Sequence, residues 1–108
     1  MVKMFEGTER KFLFLDFEFS GGNAKFVELI CMAYKTLGPE CGAIGSIDLR
    51  EERGKANAIK LLDGFVDHTL VAYGLSAELR ALFSLYGTED LDRLPFFKYI
   101  CLHAEHRL

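Results

Sequence analysis

The segment from Lys11 to Phe19 reads KFLFLDFEF, and it restricts the possible folds more than any other stretch of this chain. Phenylalanine and leucine fill it, which predicts a β-strand. From Phe12 to Leu15 the apolar residues occupy both alternation phases, as in a strand covered on both faces. The second half of the segment is different. Asp16 and Glu18 interrupt it, and a spacing of two residues on a strand sends both side chains to the same face.

The rest of the chain supplies partners for that strand. Ser20-Gly21-Gly22-Asn23 has the residues of a tight hairpin turn, and Lys25 to Lys35 (KFVELICMAYK) predicts a second, antiparallel strand. Leu37 to Gly42 reads as a turn, and Ala43 to Leu49 as a short third strand weakened by Gly45. Glu51 to about Gly64 predicts a helix with Ile59, Leu62 and Val66 at helical spacing, although Gly54 is unfavourable in its first turn. Thr69 to Tyr73 (TLVAY) is short and apolar like a buried parallel strand. Ser76 is a good N-cap for a helix from Ala77 to Tyr86, and Gly87 a good stop. Leu79, Leu82, Phe83 and Tyr86 would form that helix's core-facing stripe. Thr88 would cap a short helical turn through Arg93, and Phe96 to Leu102 predicts a fifth strand. The expected class is therefore α/β, in the order β-β-β-α-β-α-β, with helices packed on a mixed five-stranded sheet.

With 108 residues, half of them hydrophobic, the chain predicts a single domain over 1–108. Ten Phe and four Tyr supply large apolar surfaces and argue against disorder. A formal charge of −3 excludes tight nucleic-acid binding by charge alone. No apolar run is long enough for a membrane helix, and the polar start from Met1 to Lys11 does not read as a signal peptide. Cys31, Cys41 and Cys101 are scattered, with no C-x-x-C spacing. They predict reduced thiols in a cytoplasmic protein, neither a disulfide frame nor a zinc site.

Two carboxylates on one face of an apolar strand are costly to bury unpaired. Either that strand end is solvated, or a cation compensates the pair; Mg²⁺ or Mn²⁺ would suit oxygen ligands. Glu78 stands in the first turn of the helix after the fourth strand, where the helix dipole favours an anion. If the first and fourth strands run parallel and side by side, Glu78 approaches Asp16. Three carboxylates could then converge on one or two metal ions.

FLDFEF followed by VELICMAY resembles the first motif of the DEDD 3′–5′ exonucleases, and LVAYGLSAELRALFSLYG resembles their second. The likeness extends in order from about Lys11 to Leu108, and it is nearest to the N-terminal proofreading exonuclease domains of phage A-family DNA polymerases. The resemblance implies a ribonuclease H-like fold and two-metal hydrolysis at a DNA 3′ end. It makes Asp16, Glu18 and Glu78 the catalytic, metal-binding residues, with Glu78 where the family usually has Asp. Phe17 and Phe19 would stack on a terminal base, and Arg80 would touch phosphate. The family's third motif would lie beyond the fifth strand, and Cys101 stands where similar segments often carry Asp. The expectation is thus an incomplete domain, active only if a missing segment or partner completes it. The alternative is an inactive binding module associated with a polymerase or another protein.

Several other residues have plainer readings. His103, Glu105 and His106 read as polar tail residues; if helical, His103 and His106 share one face and could ligate a metal or replace the missing motif. Arg50 and Arg53 read as parts of a solvated loop, and His68 as solvent-facing beside Asp67. Tyr73 and Tyr86 read as packing residues. An incomplete domain should leave an apolar sheet face, favouring a homodimer or a complex.

Overall fold

The computed structural model describes residues 10–21, 26–38, 42–96 and 98–103. The expected turn at Gly22-Asn23, the start of the second strand at Lys25, Cys41, Glu105 and His106 lie outside the described residues.

The strand predicted around KFLFLDFEF forms as β1 (Phe12–Ser20), and its alternation is clear in the burial. Leu13, Leu15 and Phe17 are buried, Phe12 and Phe14 are half-buried, and Asp16 and Glu18 are exposed. β2 (Glu28–Leu37) pairs antiparallel with β1 from Phe12–Leu37 to Ser20–Glu28, with an irregularity between Glu18 and Phe19. β3 (Ile44–Asp48) pairs antiparallel with β2. On the other flank, β4 (Thr69–Ala72) runs parallel to β1, and β5 (Tyr99–Cys101) parallel to β4. The five strands lie in the order β3-β2-β1-β4-β5, a mixed sheet in an α/β molecule. β5 is shorter than the expected Phe96–Leu102, and Phe96 packs in the core ahead of it.

Two helices, α1 (Glu52–Asp63) and α2 (Leu75–Tyr86), cover one face of the sheet. Ala58 and Leu62 of α1 and Ala81, Leu82 and Leu85 of α2 close over Leu13, Leu15, Phe17 and Met32 in one core. Gly54 sits inside the first turn of α1 for a steric reason. A Cβ there would overlap the Asp48 carbonyl oxygen, so only glycine lets the helix start this close to the end of β3. Val66, expected in the helical stripe, is exposed beyond the end of α1.

α2 begins at Leu75, two residues earlier than expected, with Gly74 and not Ser76 as its N-cap. The Gly74 carbonyl accepts the amides of Ala77 and Glu78, which starts the turn there. Its buried stripe is Glu78, Ala81, Leu82 and Leu85; Leu79, Phe83 and Tyr86 flank it, half-buried. Gly87 ends the helix as expected, with φ +67°, and the Thr88 amide donates back to the Phe83 carbonyl. The helical turn after it is a short 3-10 turn, Leu91–Arg93, capped by Asp90. Tyr86 is half-buried and donates to Asp63, and burial pushes its hydroxyl well above the usual tyrosine range. His68 is half-buried, not solvent-facing: its ring packs on Phe65 and its Nδ1 lies 2.9 Å from Asp67, which Lys11 also contacts.

The second sheet face divides in two. Register places Phe12, Phe14, Leu37, Ile44, Val71 and Ile100 toward one end, and Asp16, Glu18 and Asp48 toward the other. Among the described residues, no helix packs on this face. Nor, among them, is any helix long and apolar enough to cross a membrane.

Candidate functional site

The acidic end of the sheet begins with a gap in hydrogen bonding. The β1–β4 ladder stops at Phe14–Val71, so the β1 backbone beyond that point has no strand beside it on the β4 side. A buried amide in that position needs another acceptor. Because α2 starts directly after β4, its first turn brings Glu78 to this place, and Glu78 Oε1 accepts the Phe17 amide at 2.8 Å.

Glu78 is 7% exposed and occupies a position in the core-facing stripe of α2. Burial raises its carboxyl above the ordinary range, the Phe17 amide bond opposes that shift, and the negative charge of Asp16 adds to it. Glu78 thus bonds the backbone of the residue next to Asp16. Glu18 lies two residues farther along the same exposed face, aligned with Cys31 of β2 and, beyond it, Asp48 of β3.

Not every expected residue joins this arrangement. Among the described residues, no group of three or more His, Cys, Asp or Glu side chains is placed to hold a metal ion. Glu78 reaches the β1 backbone beside Asp16, and the two do not form a three-ligand centre with Glu18. Phe17 is 6% exposed, so its ring belongs to the core and is not offered to a base. This corrects the stacking expectation for Phe17, and the reason is the strand's alternation: its neighbours Asp16 and Glu18 take the open face. Phe19 also faces the core, and the Arg80 guanidinium carbon lies 5.8 Å from its ring centroid, so these two side chains cover each other. Arg50 is paired with Asp48 at 2.7 Å, and the Arg50 hydrogen bonds hold the Asp48 carboxyl down at about 2.

Sequence reasoning missed Tyr73. Expected as a packing residue, it is 64% exposed at the end of β4, with its ring centroid 5.4 Å from that of His103. It also missed Ser84, whose Oγ accepts the buried Val27 amide and donates to the Arg80 carbonyl. An i to i−4 back-bond by a helical serine is a known habit of this residue, but nothing local in the sequence points to Val27. Compared with known proteins, the chain matches no family model, and neither the curated proteins nor the solved structures give a match.

Proposed function

We propose that this chain is a 3′–5′ exonuclease-like domain of ribonuclease H-like fold that engages DNA 3′ ends, in the manner of the N-terminal domains of phage A-family DNA polymerases. The sheet order is compatible with that fold. The observation that carries the reading is the bond from Glu78 to the backbone next to Asp16, which joins the two segments that the resemblance assigns to separate motifs. An acid in the buried stripe of a helix costs stability unless something else requires it. The Phe17 amide meets part of that requirement, and a site that draws charge to this sheet end would meet the rest.

Mg²⁺ or Mn²⁺ is the class of cation that these carboxylates would hold, and its chemistry would be activation of water and stabilisation of the leaving oxygen. Asp16 and Glu78, with Glu18 on the same face, fall short of a self-sufficient centre among the described residues. Hydrolysis in this reading needs a further ligand from another segment or a partner.

The test is a nuclease assay on 3′-labelled single-stranded DNA with Mn²⁺, run beside thermal melts with and without the ion. A Mn²⁺-dependent rise in Tm is expected of the chain, lost in Asp16→Ala and Glu18→Ala, with hydrolysis expected once the completing segment or partner is added. Neither hydrolysis nor a metal-dependent shift would favour a second reading, an inactive module that binds a polymerase, another protein or a second copy of itself. The apolar half of the open sheet face, where Ile44 is 76% exposed, is the observation behind that alternative.

A further inference from the structure

We propose that two copies of this chain pair antiparallel through β3, joining their sheets edge to edge about a two-fold axis at Ile44. The inference concerns the sheet edge and stands apart from any chemistry at the acidic end. β3 is the outermost strand on its flank, with β2 on its inner side. The Thr36 amide donates to the Ala43 carbonyl and the Leu49 amide to the Ile30 carbonyl, each at 2.8 Å. Antiparallel ladders alternate, so Ala43, Gly45, Ile47 and Leu49 are the residues bonded to β2. The backbone amides and carbonyls of Ile44, Ser46 and Asp48 therefore point outward. Among the described residues, no strand lies there to receive them.

One end of this edge is already covered. The first turn of α1 packs on the Asp48 carbonyl at Gly54, and the Asp48 side chain turns back to hold Arg50. The stretch left open is Gly42-Ala43-Ile44-Gly45-Ser46, which has no charge and no proline. Sheet edges are ordinarily blunted by Lys, Pro or shortness. The opposite edge, β5, is only three residues long and runs into a helical turn at Leu102. A row of outward amides and carbonyls is answered by an extended strand, and self-complementarity selects a second copy. The midpoint of the open stretch is Ile44, so an antiparallel copy lays Ile44 against its own counterpart and Gly42 against Ser46. Ile44 is the most exposed large hydrophobic among the described residues. Two chains of net charge −3 would repel, and the joint places no charge between them. Because Ile44 lies on the apolar half of the open face, pairing also makes those two halves continuous.

The experiment is sedimentation velocity over a concentration series, with hydrogen exchange of the backbone amides measured at its two ends. Wild-type protein is expected to sediment as a dimer when concentrated. There the Ile44 and Ser46 amides should exchange more slowly than in the dilute protein, with Gly45 and Ile47 slow in both. Ser46 stands opposite Ala33 at a position without ladder bonds, so Ser46→Pro removes an outward amide and leaves the bonds to β2. Its dimer is expected to be about tenfold weaker, the bond being lost twice by symmetry. Ser46→Ala keeps the amide and should behave as wild type. A dimer unaffected by Ser46→Pro would mean that the copies meet through their sheet faces, and overturns the edge pairing. A monomer at every concentration also overturns it and leaves the edge to a strand of another protein. If Ser46→Pro does not fold, the wild-type exchange decides: Ile44 and Ser46 amides that exchange alike at both concentrations overturn the pairing.

Discussion

Glu78 does two things that ordinarily conflict: it satisfies a buried amide, and it carries an ionisable group into the core-facing side of a helix. Its carboxyl titrates above its ordinary value of 4.5, so the folded chain holds that proton more tightly than the unfolded one. This contribution to stability is greatest below 4.5 and declines as pH rises through the raised value. Glu78→Gln keeps an oxygen for the Phe17 amide and removes the charge. In the absence of metal it is expected to raise Tm at neutral pH, and to leave Tm little changed under acid conditions where Glu78 is protonated. A lower Tm for the variant at neutral pH would show that the charge is stabilising where it stands. The exposed Asp48–Arg50 pair works in the opposite direction, since a depressed acid loses its contribution as pH falls through about 2. Exposed pairs of this kind add little stability.

Among the elements, the start of α1 shows how tertiary packing can reverse a local rule. Gly→Ala inside a helix is ordinarily stabilising by up to about 1 kcal/mol. At Gly54 the added methyl group would meet the Asp48 carbonyl, and the helix would have to move off β3. Gly54→Ala is therefore expected to destabilise by about 2 kcal/mol net, read as a fall in Tm of roughly 10 °C. An unchanged or higher Tm would mean that the helix start can shift without cost. The five strands and two helices were legible because Phe and Leu fill β1, β4 is short and apolar, and Gly87 stops a helix. The buried side of α2 was not. Leu79, Leu82, Phe83 and Tyr86 share a helical spacing, yet the helix buries Ala81 and Leu85 beside Leu82 and turns Glu78 inward. Apolar spacing suggested one side, while packing on the sheet and the Phe17 amide turned the helix toward another. The place of Asp16 and Glu78 could be inferred from topology; the hydrogen bond that joins α2 to β1 could not, because it depends on where the β1–β4 ladder stops.

For the whole molecule, the second sheet face is the feature with most consequence, with apolar residues toward one end and acids toward the other. The apolar half is expected to associate with a second copy or another protein. Sedimentation velocity over a rising concentration series should show association, and Ile44→Lys should weaken it without lowering Tm. A single concentration-independent monomer would count against that expectation. The same sheet also has a seam. β1, β2 and β3 form a meander of neighbouring antiparallel pairs, whereas β4 returns across a helix to meet β1 over three residue pairs, Phe12–Thr69 to Phe14–Val71. Long loops closed by few bonds are slow to form. Assembly of this domain should close last, and opening begin first, along that line. The Glu78–Phe17 bond crosses it, so the carboxylate read above as part of a site is also the clasp between the two halves of the chain.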